Sequence, residues 1–171
     1  MITTEQRGGR QVVLVLDQLV ERMDDMRPAL AEIGEDMVES IKGRFASATA
    51  PDGTPWAPNS SVTVEAYLGR FKGSHKKDGS RSKKGEARAA SKKPGTGETR
   101  ALQGTINYQF EGNTSISIGS PLVYAAMFNS GGTKAQFPNL WGDIPAREFA
   151  GFSDGDRANI TDIVQSYLLG A

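Results

Sequence analysis

Cysteine is absent from the 171 residues and histidine occurs once, as His75. No disulfide framework, thiol nucleophile or cysteine zinc site can be built without the first. The lone histidine lies beside Lys76 and Lys77 with no orienting partner near it in sequence, so a solvated position is expected rather than general-base work. Long apolar runs are missing too: a run such as Val12 to Leu16 is far too short to cross a bilayer. The amino terminus lacks the basic, apolar and small-residue order of a signal peptide. A soluble chain made and used in a cytoplasm, with no membrane partner, is the expectation. Net charge is also absent, 20 basic side chains standing against 20 acidic ones, which argues against polyanion binding by the whole surface.

That balance conceals a segregation. Between Arg70 and Arg100 there are eleven basic residues and three acidic ones, a segment of +8, and the rest of the chain carries −8. Phe71 is the only aromatic in this window, and Gly, Ser, Ala and Lys fill most of it. Such a composition buries too little apolar surface to offset its ordering entropy. Residues 69–98 are therefore expected to form a long mobile basic loop inserted in a single domain over 1–171.

Elsewhere the periodicity is helical and then alternating. Val12, Val15, Leu16, Leu19, Val20 and Met23 predict an amphipathic helix from about Gln11 to Met26. Pro28 suits the first turn of a second helix, whose stripe Leu30, Ile33, Met37, Ile41 and Phe45 runs to about Ala48. Gly34 falls on that stripe, where it would let another backbone approach. Glu32, Glu35, Asp36 and Glu39 read as its solvated face, and Lys42 and Arg44 suit the carboxyl end of the helix dipole. Pro51 to Pro58 is a rigid turn and extended segment in which Trp56 anchors the loop. Ser61 to Leu68 fits a short helix but is indecisive. Ile106, Tyr108 and Phe110, then Ile116 and Ile118, alternate with polar residues around Gly112-Asn113 and read as an antiparallel hairpin. Tyr124 to Phe128 predicts a short helix ended by Gly131-Gly132, Thr133 to Asp143 a loop, and Ile144 to Phe149 a further strand. Ser153 and Asp156 are placed to cap a last helix with Ile160, Ile163, Val164, Tyr167 and Leu168 on its apolar stripe. The fold class is α+β, a small antiparallel sheet packed with long amino-terminal and carboxy-terminal helices.

The catalytic inventory is thin. Asp154 and Asp156 lack the further oxygen ligands of a metal loop. Lys92-Lys93-Pro94-Gly95-Thr96-Gly97 lacks the order of a phosphate loop, and no serine sits in a strand-to-helix elbow with a histidine to activate it. No enzyme, metal or cofactor is expected. The basic segment can neutralise phosphates through Arg70, Lys72, Lys76, Lys77, Arg81, Lys83, Lys84, Arg88, Lys92 and Lys93, or dock on an acidic protein surface. Without interleaved aromatics it has no stacking platform for bases.

Three stretches, in order, resemble the phage virion morphogenesis family, the tail completion proteins of Mu-like and P2-like tailed bacteriophages. The first is Ile41-Lys42-Gly43-Arg44-Phe45 followed by Pro51-Asp52-Gly53-Thr54-Pro55-Trp56-Ala57-Pro58. The second is the strand pair leading into Gly119 to Gly131, with Tyr124-Ala125-Ala126-Met127-Phe128-Asn129 at its centre. The third is Ile144-Pro145-Ala146-Arg147-Glu148-Phe149-Ala150-Gly151-Phe152-Ser153, running through Asp154, Asp156, Arg157 and Ile160 into the last helix. The chain departs from the family pattern at Phe128-Asn129, where histidine-glutamine is common, at Glu148, where proline is common, and at Thr99-Arg100-Ala101-Leu102, where threonine-glycine-x-leucine is usual.

The resemblance implies a ring-forming structural protein of the virion neck or head-proximal tail end, assembled in the host cytoplasm. Its implied partners are further copies of itself, in a ring that is commonly six-fold, portal, connector or stopper proteins, and tail tube or terminator proteins. Genomic DNA in the channel is a further one. Trp56, Tyr124, Phe128, Phe137, Trp141, Arg147 and Phe149 are the candidates for packing and subunit contacts. A DNA-binding assembly or packaging factor that acts through the basic loop without being retained in the virion is the alternative.

Overall fold

A computed structural model describes residues 9–97, 99–140 and 142–170, with side chains from Val13 onward. The described residues form seven helices and one two-stranded antiparallel sheet, an α+β fold. They divide into two compact units, 1–38 with 107–118 and 154–171, and 39–106 with 119–153. Charge follows this division. The first unit has twelve acidic and five basic residues, a net of −7, and the second eight and fifteen, a net of +7.

The first unit begins with α1 (Gly9–Asp24), which packs on the last helix, α7 (Asp154–Leu169). Arg22 donates from Nη1 to the Leu168 carbonyl at 2.8 Å, and the Tyr167 hydroxyl donates to the Asp25 carbonyl at 2.5 Å. α2 (Arg27–Ser47) carries Pro28 in its first turn, as the spacing predicts. On α2 the residues 29, 33, 37, 41 and 45 are all buried, so Ala29 rather than Leu30 opens the stripe. Ala29, Ile33 and Met37 belong to the first unit, and Ile41 and Phe45 to the second. Strands β1 (Asn107–Phe110) and β2 (Ile116–Gly119) form the expected hairpin, tied to the start of α2 by the Met26 amide, which donates to the Asn113 carbonyl at 2.9 Å. Gly34 admits a ring, not a backbone: a Cβ there would lie 2.6 Å from Cγ of Tyr108.

In the second unit, α3 (Ser61–Leu68) resolves the indecisive stretch, its amino end capped by Ser60, whose hydroxyl accepts from the Thr63 amide at 3.2 Å. The segment expected as a structureless basic loop contains α4 (Lys83–Ser91). A single turn, α5 (Ala101–Gly104), precedes the hairpin, and α6 (Ala125–Ser130) ends on Gly131 at φ 69°, matching the expected helix and its glycine stop.

The strand expected at 144–149 is not formed. Only Ile144 pairs, in an isolated bridge with Gly132. Pro145 has no amide, and the following amides go to α6: Arg147 donates to the Phe128 carbonyl at 3.0 Å, and Phe149 and Ala150 both donate to Oδ1 of Asn129 at 3.0 Å. Arg44 likewise differs from its reading as a dipole-facing surface cation. It is buried, with Nη1 donating to the carbonyls of Phe149 at 2.7 Å and Gly151 at 2.9 Å.

Candidate functional site

The basic segment folds as a module on α3. Leu68 and Ser74 are both fully buried, an apolar and a polar plug. The Ser74 hydroxyl donates to the Phe71 carbonyl at 2.9 Å, and its own carbonyl accepts from the Ser82 amide at 2.9 Å. Ser82 then caps α4, its hydroxyl accepting from the Gly85 amide at 3.0 Å. Gly85 presses on Ser74 so closely that a Cβ there would meet the Ser74 carbonyl oxygen at 2.0 Å. Between Ser74 and Ser82 a tight turn is closed by the bridge of His75 with Arg81, with Gly79 at φ 83°.

Glu65 of α3 clamps that turn. Arg81 donates to it from Nε and Nη2 at 2.8 and 2.6 Å, and His75 shares a hydrogen bond with it at 2.9 Å. The hydrogen bond from His75, then that from Arg81, holds the Glu65 carboxyl below the usual carboxylate range. His75 therefore has the orienting partner that the sequence did not reveal, supplied by a helix ten residues upstream.

Geometry sorts the ten cations of the segment. Four hold the module together. Arg81 is paired with Glu65, and Arg88 donates to the Lys72 carbonyl and the Ser74 hydroxyl while its guanidinium lies 4.9 Å from the Phe71 ring centre. Lys92 reaches the Thr96 carbonyl and sits 5.0 Å from the Tyr67 ring centre, and Lys93 donates to the Ala46 carbonyl. Lys72, Lys76, Lys77, Lys83 and Lys84 are instead exposed and form no ion pair among the described residues. Lys83 and Lys84 open α4, where the helix dipole disfavours cations and Glu86 offsets only part of their charge, so an anion is the complement that position lacks.

Arg70 lines a groove of about 940 Å³ along α3. Val62, Ala66 and Tyr67 form its apolar wall, and Lys92 and Arg100 add two more cations. No acidic residue lines it among the described residues. Burial, with the charge of Arg70 added, lowers the Lys92 pKa. Tyr67 and Phe71 meet edge to face at 5.1 Å, an aromatic pair that neither composition nor spacing brought to notice because Tyr67 precedes the basic window.

The aromatic candidates separate into core and surface. Trp56, Phe128 and Phe149 cluster around Phe45 with ring centres 5.2, 6.0 and 5.5 Å from it. Trp56 also donates from its indole nitrogen to the Glu148 carbonyl at 2.9 Å. Arg147 is buried against Phe128, donates to the Ala57 and Pro58 carbonyls at 2.8 and 2.9 Å, and has its pKa lowered by that burial. Tyr124 and Phe137 are about half exposed, and Trp141 lies outside the described residues. On α1, six aliphatic side chains from Val13 to Met23 are each more than half exposed. No described helix is long and apolar enough to cross a membrane, and no group of three or more metal-ligating side chains is found among the described residues.

No curated protein and no solved structure matches this chain. The model of the phage virion morphogenesis family matches residues 8–169, nearly the whole length and both structural units. With its helices, hairpin and 144–153 segment all inside that match, the chain belongs to the phage virion morphogenesis family and serves in virion assembly.

Proposed function

We propose that this protein is a structural subunit of the head–tail neck, a tail-completion or connector ring that joins the DNA-filled capsid to the tail. The observation that carries the reading is the family match across residues 8–169, which takes in the acidic and the basic unit together. Charge supports it: a subunit with −7 on one unit and +7 on the other favours head-to-tail association, the geometry that closes into rings. In this reading the partners are further copies, in a hexamer, with portal, connector or stopper proteins on one side and tail tube or terminator proteins on the other. The module of five unpaired lysines faces DNA in the channel or an acidic ring neighbour.

A DNA-binding assembly factor absent from the finished virion is the second reading, favoured by one observation, the pair Lys83 and Lys84 at the positive end of α4. Mass spectrometry and immunogold labelling of purified particles separate the two. The neck reading expects the protein in mature virions at the head–tail junction. Its absence from mature virions supports the assembly factor instead.

A further inference from the structure

The module folded on α3 keeps its arginines inside and its lysines outside. Residues 71–91 carry seven basic and two acidic side chains. Arg81 is held by Glu65, and Arg88 by the Lys72 carbonyl, the Ser74 hydroxyl and the Phe71 ring, and both arginines are half-buried. The other five cations, Lys72, Lys76, Lys77, Lys83 and Lys84, are exposed and form no ion pair among the described residues. Of the two acids, Asp78 accepts from the Ser80 amide and hydroxyl at 2.9 and 2.6 Å, and Glu86 sits on α4.

The surface around these lysines is made of small residues. Gly85 faces Ser74, so at 100° per residue Lys83, Ala87 and Ala90 lie on the far side of α4, with Lys84 on one flank and Glu86 on the other. All five are exposed, as are Gly79 and Ser80 in the turn that carries Lys76 and Lys77. Protein interfaces are poor in Lys, Ser and Ala and take most of their binding energy from aromatic and arginine anchors. Here the anchors are already used: Arg81 and Arg88 bind within the module, and Phe71 has Arg88 over its ring and Tyr67 edge to face with it. A docking protein would meet charge without an anchor. A phosphodiester backbone needs only cations at close approach, and Gly, Ser and Ala between the lysines leave room for it.

We propose that this lysine face seats the sugar-phosphate backbone of duplex DNA without regard to sequence. The inference rests on the neck reading for its setting and narrows it, committing the face to DNA rather than to an acidic ring neighbour. Duplex fits better than single strand, because its charge density is higher and single strands are gripped by stacking on free aromatics, whereas Phe71, the one aromatic of residues 71–91, is occupied by Arg88. Contacts to phosphate alone bind weakly and let the duplex slide. Repeated in each copy of a ring, they add up along the channel while the DNA stays free to pass.

Fluorescence anisotropy of a short labelled duplex with the full chain, over a range of salt, tests it. Five phosphate contacts predict a slope of log affinity against log salt of about −4.5, the same for AT-rich and GC-rich duplexes. Replacing all five lysines by Ala lowers affinity about tenfold or more and removes most of that slope. Lys134→Ala, at an exposed lysine outside the module, leaves both as they are. Thermal melting checks that the variants are folded; should the fivefold variant not fold, Lys76→Ala combined with Lys83→Ala reduces the slope by about 1.8. Wild-type affinity and slope in the folded variant overturn the proposal, as does a wild-type chain that binds no duplex at low salt. Tighter binding of the same strand when single overturns the duplex assignment. A variant that loses self-association in sedimentation but still binds the duplex assigns the face to protein, and the proposal fails. If DNA binding fails while the protein is found at the neck, only this contact falls; if binding holds while mature virions lack the protein, the contact stands and the neck reading falls.

Discussion

The Arg44 guanidinium donates to the Phe149 carbonyl at 2.7 Å, joining the carboxyl end of α2 to the segment that leads into α7. The same nitrogen serves Gly151 at 2.9 Å, and the Phe149 ring packs at a tilt against Phe45, the next residue of the helix, with ring centres 5.5 Å apart. One buried cation therefore satisfies two carbonyls that no strand pairs. Arg44→Met is expected to cost about 3 kcal/mol, because both acceptors lose their donor while the aliphatic volume is kept. The urea midpoint measures it.

Gly85 has no room for a side chain over the Ser74 carbonyl. Gly85→Ala forces apart the turn and α4, for about 2 kcal/mol of destabilisation. Hydrogen exchange should show the loss concentrated over residues 74–91, with α1 and α7 unaffected.

Among the described residues, two non-glycine residues occupy the left-handed region, Ala48 at φ 58° and Arg100 at φ 52°. Ala48→Gly and Arg100→Gly are each expected to stabilise the fold by up to about 1 kcal/mol, read as an upward shift in urea midpoint.

Acidification tests the Glu65 clamp. Its carboxyl is depressed below the usual 4.5 by His75 and then Arg81. A carboxylate depressed on folding contributes stability that is fully present above the unfolded value and is lost as pH falls through the folded one. Amide protection over 74–82 should therefore fall as pH is lowered below about 4.5. In Glu65→Gln the protection should be lower at neutral pH and insensitive to this range.

The lysine face predicts a salt signature. If Lys72, Lys76, Lys77, Lys83 and Lys84 contact phosphates, replacing any one by Ala lowers the slope of log affinity against log salt by about 0.9 for duplex DNA. Lys83→Ala and Lys84→Ala should also stabilise α4 by a few tenths of a kcal/mol, up to about 1, by relieving the clash with its dipole. An unchanged slope in all five variants assigns the face to protein.

Periodicity made α1, α2, α7 and the hairpin legible, since residues 29 to 45 on α2 and Tyr108 with Ile116 declare which side is covered. Order in the basic segment was not legible from its composition. Counting apolar area overlooks what holds it: a buried serine, a glycine fitted against a carbonyl, a capping hydroxyl and one glutamate shared by His75 and Arg81. The 144–149 stretch reads like a strand, yet its Arg147 and Phe149 amides are claimed by Phe128 and Asn129 of α6, about twenty residues earlier, and no local pattern encodes that. Among the aromatic candidates, sequence alone does not separate Trp56 and Phe149, enclosed around Phe45, from Tyr124 and Phe137, left half exposed. The departure at Arg100 has a physical sense, because a left-handed backbone there is the conformation for which the family's usual glycine is suited.

Electron microscopy of particles from a phage lacking this gene tests the neck reading most directly. The account predicts DNA-filled heads and separate tails that fail to join stably, restored by the wild-type protein. Normal, infectious joined virions without it would contradict the account.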